Sequence, residues 1–210
     1  MPERTGSIAG IVLAAGMSTR MGQNKLFLEL DDETLVRRVV GQVSKAGGIP
    51  YVPVFSREYE RGVNSSLRAG VAAVSGTSAH AAVVVLADMP FVTTAMIMTL
   101  VAKYRQSAAP LVISNYDGVN APPMLYDRSL FPELVASDGE GCGKHVVNQH
   151  RHEAESASWP RSAHRSRRAG RLRARQSVDG RTALTCALES YSGPSCLRSS
   201  PSLKLYLMLR

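Results

Sequence analysis

Residues 8–25 read Ile8-Ala-Gly-Ile-Val-Leu-Ala-Ala-Gly-Met-Ser-Thr-Arg-Met-Gly-Gln-Asn-Lys25, an apolar run that leads directly into a glycine-bearing loop. Gly16 and Gly22 can adopt positive φ and let the backbone approach a ligand, while Arg20 and Lys25 can neutralise an anion. The stretch therefore predicts a phosphate-binding loop whose ligand is a nucleoside triphosphate. It contains neither G-x-x-x-x-G-K-[ST] nor G-x-G-x-x-G, which disfavours a Walker ATPase and a classical dinucleotide dehydrogenase. An ordinary surface turn with two solvated cations is the structural alternative.

Strand and helix patterns alternate through the first 155 residues. Apolar runs are separated by stretches whose apolar residues recur at helical spacing. This order predicts an α/β fold with a doubly wound sheet and right-handed crossovers. Asn64 and either Thr93 or Thr94 are the expected helix caps. We expect strands at 8–13, 51–55, 81–87, 111–114 and 123–126, and helices at 34–46 and after each expected cap.

Asp88 is the strongest single candidate for a catalytic-site residue. It follows a continuous apolar strand, and ligands of open α/β sheets bind at the carboxyl ends of the strands. A carboxylate at that edge is suited to hold Mg²⁺, which would bridge phosphate oxygens during attack on an α-phosphorus. The structural alternative is that Asp88 caps the next helix. Thr93 and Thr94 lie nearer to the start of that helix, which favours the metal role.

The pattern L-A-A-G-x-S-x-R-M-G-x-x-K at residues 13–25 resembles the opening signature of the molybdenum-cofactor nucleotidyltransferases, within the NTP-transferase family. Two more segments resemble that family in its order, Asn64-Ser-Ser-Leu-Arg-Ala-Gly70 and Leu86-Ala-Asp-Met-Pro90. The resemblance covers about residues 7–155. The cytidylyltransferase branch usually has L-A-A-G where the guanylyltransferase branch has L-A-G-G, so Ala15 favours CTP.

This resemblance implies a Rossmann-like (GT-A-like), mostly parallel sheet flanked by helices, and the transfer of CMP from CTP to a phosphate acceptor with release of pyrophosphate. The implied acceptor is molybdopterin, the implied metal Mg²⁺, and the implied protein partner a molybdoenzyme or its chaperone. A weaker match, Gly139-Glu-Gly-Cys-Gly-Lys144, resembles the acceptor-facing G-D-x-G-A-[RK] segment, although a plain glycine-rich loop is the alternative. The implied site residues are Arg20, Lys25 and Asp88 for catalysis, Asp88 for the metal, Leu13, Ala14, Ala15, Gly16, Met17, Ser65 and Ser66 for the nucleotide, and Glu140 and Lys144 for the acceptor.

Several other functions stay open at this point. Guanylyl transfer to the same cofactor and nucleotidyl transfer to a sugar or alditol phosphate use the same chemistry. From another class, the chain could be an inactive nucleotide-binding remnant or a nucleic-acid-associated protein with a basic tail. Three cysteines without a C-x-x-C pair disfavour a zinc site and a disulfide framework. No apolar run is long enough to span a bilayer and no signal peptide is recognisable, so a cytoplasmic location is expected.

The charge of the chain is concentrated in its last fifty residues. Residues 1–160 contain 14 Lys and Arg against 15 Asp and Glu, whereas residues 161–210 contain 11 Lys and Arg against two acids. That segment lacks a sustained period, although it ends in the apolar run at residues 203–209. We therefore expect an NTP-transferase domain at residues 1–158 and a basic, disordered tail at 159–210. The tail is typical of a reading-frame shift near Trp159; a genuine basic extension is the alternative.

Two departures from the family pattern predict an incomplete domain. Another strand and helix, roughly twenty residues by the usual length of such a unit, would be expected between Gly47 and Gly48, so one unit of the sheet is shortened. After Glu155 the family would continue into a last strand and an acidic D-x-D-x-P-E-D-like segment, which would supply a second metal carboxylate. No such acidic segment occurs here, since the later acids are only Asp179 and Glu189. The sequence therefore predicts a poor catalyst.

Overall fold

A seven-stranded, mostly parallel sheet with helices on both faces forms the framework of the molecule. The structure is a computed structural model that describes residues 4–14, 28–47, 51–55, 63–137, 141–163, 173–174 and 203–209. In chain order the strands are β1 Ile8–Leu13, β2 Leu28–Leu30, β3 Glu33–Thr34, β4 Tyr51–Phe55, β5 Ala81–Leu86, β6 Leu111–Tyr116, β7 Val119–Asp127, β8 Glu155–Trp159, β9 Arg173–Ala174 and β10 Leu203–Leu209. The α-helices are α1 Leu35–Gly47, α2 Val63–Ser75, α3 Thr94–Gln106, α4 Phe131–Ala136 and α5 Lys144–Gln149.

The main sheet has the order β4-β10-β1-β5-β7-β6-β8, and a small second sheet has the order β3-β2-β9. Neighbouring strands of the main sheet are parallel except for β5 with β7 and β7 with β6. The prediction of an α/β fold with a mostly parallel sheet is therefore confirmed. Within the described ranges, no helix is both long enough and apolar enough to cross a membrane.

Two apolar layers hold the helices against the sheet. Side chains alternate between the faces of β1, so Ile8 and Val12 pack on one side and Ile11 and Leu13 on the other. The first layer includes α1 and α3, whereas the second includes α2, α4 and α5. All six residues of β1 are buried. Complete burial of one such aliphatic side chain stabilises the fold by roughly 1.5 to 3 kcal/mol. The burial of β1 therefore fixes the point at which the chain leaves the sheet after Leu13.

The expected strands and helices from residue 8 to residue 126 are present within a few residues of their expected limits. One difference is that the strands expected at 111–114 and 123–126 extend toward each other and form a hairpin, β6 with β7. Its turn places Asp117 at φ 49° and Gly118 at φ 87°. An Asp-Gly pair with positive φ at both positions favours a tight two-residue connection. The sequence signal for this turn is the Asp117-Gly118 pair, which lies between the two expected strands.

A last strand, β8, follows the stretch that the family resemblance covers. β8 pairs with β6 in parallel, from Val112 opposite Glu155 to Tyr116 opposite Trp159. Ala157 is buried in the core, and Trp159 and Ala163 pack against it. The strand Glu-Ser-Ala-Ser-Trp carries few apolar side chains because it lies at the edge of the sheet. The described fold thus continues past the expected domain boundary at residue 158.

The tail contributes a strand inside the sheet, which corrects the expectation that all of 159–210 stays unpacked. β10 lies between β1 and β4 and runs parallel to both, with Leu13 opposite Met208 and Pro53 opposite Leu207. β9 also comes from the tail and pairs with β2. An apolar run can gain more from pairing in a sheet than its ordering costs. β4 is then the edge strand, where a proline such as Pro53 is tolerated. Residues 164–172, 175–202 and 210 lie outside the described part of the chain.

A part-buried polar cluster closes the amino-terminal edge of β5, opposite to the edge that ends at Asp88. The Tyr104 hydroxyl donates a hydrogen bond to Asp127 Oδ2 at 2.6 Å, and Arg4 Nη1 lies 3.2 Å from the same oxygen. Burial acts to raise the pKa of the Asp127 carboxyl, but hydrogen bonds from Tyr104 and Ser129 and the charge of Arg4 leave that pKa below its usual value. Burial and the contact with Asp127 raise the pKa of Tyr104 to about 12. This cluster stabilises the amino-terminal edge of the sheet, whereas Asp88 lies at the carboxyl edge.

Candidate functional site

The carboxyl ends of β1 and β5 lie side by side. Leu13 is in register with Leu86, and the Ala87 amide donates a hydrogen bond to the Leu13 carbonyl at 3.0 Å, one residue beyond the strand. Ala14 and Ala87 are both buried, so the pairing is held up to the point where each chain segment leaves the sheet. The segment after Ala14 is the cation-bearing loop of the sequence analysis. The structure thus brings the start of that loop and Asp88 to one edge.

Asp88 is exposed immediately after this pairing. Two backbone hydrogen bonds turn the chain there, from the Met89 amide to the Leu86 carbonyl and from the Val92 amide to the Met89 carbonyl, both at 3.2 Å. The helix-capping alternative for Asp88 is wrong, because Thr93 is the N-cap of α3 and its hydroxyl accepts from the Met96 amide. The Asp88 carboxylate is therefore not used by the helix that follows.

Thr94 bonds across to α1 rather than capping α3. Its amide donates to Gln42 Oε1 at 2.9 Å, and its hydroxyl lies 3.0 Å from the Gln42 carbonyl oxygen. This link ties the start of α3 to α1 on the same face of the sheet. The turn that carries Asp88 is thereby fixed at both of its ends.

The expected nucleotide-binding residues fall into two groups. Leu13 and Ala14 are placed by the structure, both nearly inaccessible to solvent. The other loop residues lie outside the described part of the chain: Ala15, Gly16, Met17, Arg20 and Lys25. Their roles stay predictions.

The first turn of α2 differs from its expected form. The helix begins at Val63, so Asn64 lies inside its first turn and is not the N-cap. Asn64 and Ser65 are each 8% exposed, whereas Ser66 is fully buried. The Ser66 hydroxyl has no hydrogen-bond partner among the described residues. Because α2 follows β4 in a crossover to β5, its first turn lies at the carboxyl edge of the sheet, as a nucleotide-binding role requires.

The glycine-rich segment near residue 140 contacts α2 directly. Asn64 Oδ1 accepts a hydrogen bond from the Gly143 amide at 3.2 Å. Gly143 has φ 68°, and Lys144, the next residue, begins α5 and is exposed. Cys142 packs against the apolar layer that includes α2, α4 and α5, and burial raises the pKa of its thiol to about 12. Glu140 lies outside the described residues.

The sequence reasoning missed this contact between Asn64 and Gly143. The available signal was a glycine directly before the start of a helix, combined with a side-chain amide in the first turn of another helix. Neither signal names the partner, since the two residues are 79 positions apart. Their meeting depends on the tertiary fold.

The metal-binding capacity of the described residues is limited. No group of three or more His, Cys, Asp and Glu side chains within them could hold a metal ion. His150 is engaged elsewhere, because its Nε2 lies 2.9 Å from Glu133 Oε2. That hydrogen bond, aided by the Glu133 and Glu153 charges, raises the pKa of His150. Asp88 is thus the described carboxylate that stands at the carboxyl edge beside the loop.

The sequence of the chain is similar to those of known proteins. The model of the MobA-like NTP transferase domain matches residues 10–154. The purine catabolism protein PucB of Bacillus subtilis (strain 168) is 29% identical over 171 residues, which cover 69% of this chain and 82% of that protein. The molybdenum cofactor guanylyltransferase of Rhodobacter capsulatus is 31% identical over 144 residues, covering 61% of this chain and 73% of that protein.

Solved structures share the fold. Rv0371c from Mycobacterium tuberculosis H37Rv gives a TM-score of 0.63 at 24% identity, covering 75% of this chain and 90% of that chain. The structure of Rv0371c in complex with manganese gives a TM-score of 0.58 at 23% identity, covering 73% of this chain and 89% of that chain. With a family match over more than half of its length, and with the loop, the strand-end aspartate and the α2 segment in the matched region, the chain belongs to the family of nucleotidyltransferases with a MobA-like NTP transferase domain.

Proposed function

We propose that the chain transfers CMP from CTP to the phosphate of a molybdopterin-type acceptor and releases pyrophosphate. The observation that carries this proposal is the hydrogen bond from the Ala87 amide to the Leu13 carbonyl. It holds the exposed Asp88 beside the residue from which the cation-bearing loop departs. A triphosphate at this edge would meet the loop cations from one strand and the carboxylate from the next.

The chemistry asks for positioning rather than a protein nucleophile. An oxygen of the acceptor phosphate attacks the α-phosphorus, a new oxygen–phosphorus bond forms, and the bond between the α-phosphorus and the bridging oxygen breaks. The electron pair of that bond leaves with pyrophosphate. Arg20 and Lys25 would neutralise the triphosphate and the leaving group, and the amides after Leu13 would orient the phosphates. Lys144 would attract the acceptor phosphate.

The residues at this edge fit a divalent cation that arrives with the nucleotide. Mg²⁺ prefers oxygen ligands and is commonly held by one or two carboxylates together with substrate phosphates and water. Asp88 offers one such carboxylate. When bound, the cation would supply charge stabilisation at the phosphates. The Rv0371c structure with manganese supports a divalent ion in this fold, and we propose Mg²⁺ for this chain.

GTP is the second candidate donor, and a specific observation favours it. The Rhodobacter capsulatus relative is a molybdenum cofactor guanylyltransferase, at 31% identity. Ala15 is the residue that favours CTP. The protein partner that we propose to receive the product is a molybdoenzyme or its chaperone.

The test is pyrophosphate release by the purified full-length chain with reduced molybdopterin, Mg²⁺ and CTP, GTP, ATP or UTP in turn. We expect CTP to give the highest kcat/KM, whereas a higher value for GTP would assign the chain to guanylyl transfer. Asp88→Asn should lower kcat/KM by roughly 100-fold, the size of one lost electrostatic contact in a transition state. Asp32→Asn is the matched control, since Asp32 is also exposed and sits in a turn where Asn is tolerated. Equal loss in both variants, or release that needs no acceptor, would contradict the proposal.

A further inference from the structure

One buried contact joins the two segments that the proposed reaction must align. Asn64, in the first turn of α2, accepts a hydrogen bond from the amide of Gly143, directly before α5. The bond connects residues 79 positions apart and is buried. On its α2 side lie the expected nucleotide contacts, and on its α5 side lies Lys144.

The backbone at Gly143 is also closely packed by neighbouring side chains, one of which belongs to α2. A Cβ added at Gly143 would meet the Tyr126 hydroxyl at 3.0 Å, Leu134 Cδ2 at 3.1 Å and Leu67 Cδ2 at 3.4 Å. Leu67 belongs to α2 and is almost fully buried. The φ of 68° is also one that side-chain-bearing residues rarely adopt. Position 143 therefore needs glycine for both its conformation and its space.

Gly143 in turn sets where Lys144 is presented. The Val147 amide donates to the Gly143 carbonyl at 3.0 Å, which forms the first turn of α5. The side chains of Val146 and Val147 are buried beneath that turn, whereas Lys144 is exposed. A shift of Gly143 would move this turn, and the cation at its start, relative to α2.

We propose that Asn64 and Gly143 are positioning residues that fix the acceptor-binding cation Lys144 relative to the nucleotide-binding end of α2. This inference rests on the proposed function. Neither residue touches the reacting atoms; each acts through the placement of Lys144. Loss of the contact should therefore weaken the use of the anionic acceptor more than the binding of the nucleotide.

The variants separate this role from general stability. Asn64→Ala removes the acceptor of the hydrogen bond, whereas Asn64→Asp keeps one. Gly143→Ala changes the residue that donates the hydrogen bond. Thr77→Ala is the matched control, because the Thr77 hydroxyl bonds the Val74 carbonyl and the Ala79 amide at the opposite end of α2.

In the free protein, loss of this hydrogen bond in Asn64→Ala should make amide hydrogen exchange at Gly143 about tenfold faster. In Asn64→Asp and Thr77→Ala the exchange rate at Gly143 should stay near that of the wild type. With CTP, Mg²⁺ and reduced molybdopterin, Asn64→Ala and Gly143→Ala should raise KM for molybdopterin about tenfold and change the Kd of CTP less than about twofold. Thr77→Ala should change neither.

Two different failures are distinguishable. Exchange at Gly143 that is the same in wild type and Asn64→Ala overturns this inference alone, whatever the activity. Equal losses in CTP affinity and acceptor KM also overturn it, because the contact would then support the fold in general. Wild-type protein without turnover overturns the proposed function and the positioning role together, even where the exchange result stands.

Discussion

At the scale of single residues, charged side chains that stabilise the fold lie at a different edge of the sheet from the charged side chain that is available to a ligand. Arg4 and Asp127 satisfy each other at the amino-terminal edge of β5, and Arg128 donates to the carbonyls of Ser75, Thr77 and Ala79 at the end of α2. Asp88, at the opposite edge, is exposed and is not the cap of α3. A charge without a structural task at the carboxyl edge of a sheet is typical of a binding site.

Lys25 should contribute to triphosphate binding. Lys25→Ala removes a charge-assisted phosphate contact worth roughly 1.5 to 3 kcal/mol, which corresponds to about a 10- to 150-fold weaker affinity. Isothermal titration of CTP and GTP in the presence of Mg²⁺ measures it. Lys45→Ala, on the exposed last turn of α1, is the control and should bind as the wild type does. Unchanged affinity in Lys25→Ala would remove this residue from the site.

Asp127 should make stability depend on pH in the acidic range. Its pKa is lowered in the folded protein, so its contribution is complete above the unfolded pKa of about 3.9 and is lost as the pH falls through the folded value. Asp127→Asn should therefore lose about 1 kcal/mol of unfolding free energy at pH 7, a figure reduced for the partial exposure of the pair. Urea unfolding at several pH values tests this. The difference in unfolding free energy between the wild type and the variant should shrink as the pH falls below about 4; a constant difference down to pH 2 would contradict the prediction.

At the scale of elements, helices and strands from 8 to 126 follow from periodicity, because each carries an apolar face of helical or extended spacing. The hairpin of β6 with β7 was within reach of the sequence through Asp117 and Gly118. β8 could not be predicted from the sequence, because an edge strand with a single fully buried side chain has almost no alternation of apolar and polar residues. The contact between Asn64 and Gly143 was also out of reach, since local sequence does not encode partners so far apart.

The pairing of β10 can be tested by proline substitution. Leu205→Pro and Leu207→Pro place a residue without an amide hydrogen inside a central strand, which removes a ladder hydrogen bond. Amide exchange in β1 and β4 should become at least about tenfold faster in these variants, whereas β6 should change less. Leu203→Pro is the control, because proline is tolerated at the first residue of a strand. Unaltered protection of β1 and β4 in the two inner variants would show that β10 does not hold them.

At the scale of the whole molecule, the site is assembled from segments far apart in sequence. β1, β5, the first turn of α2 and the start of α5 supply its parts at the carboxyl edge. The carboxyl edge itself followed from the strand–helix alternation. The family resemblance indicated all four segments, the start of α5 by a weaker match than the other three. What the sequence did not yield is how the tail joins the sheet, because the apolar run at 203–209 does not identify the strands that it pairs with.

The site as a whole should not hold a divalent cation without nucleotide. Among the described residues, Asp88 is the carboxylate that directly follows β5, and no group of three or more potential metal ligands exists. Titration of Mg²⁺ or Mn²⁺ into the free protein should give no heat of specific binding, whereas the same titration with CTP present should. Tight metal binding to the free protein would reveal a second carboxylate and contradict the prediction of a poor catalyst.

The place of β10 has a consequence for how the chain is made. β1 and β4 are translated well before β10, although β10 lies between them in the sheet. Until β10 has been made, the backbone groups of β1 and β4 that will pair with it are unpaired, and unpaired strand edges are templates for aggregation. A nascent chain that stops before residue 203 therefore carries an open sheet, which β10 closes in the finished fold.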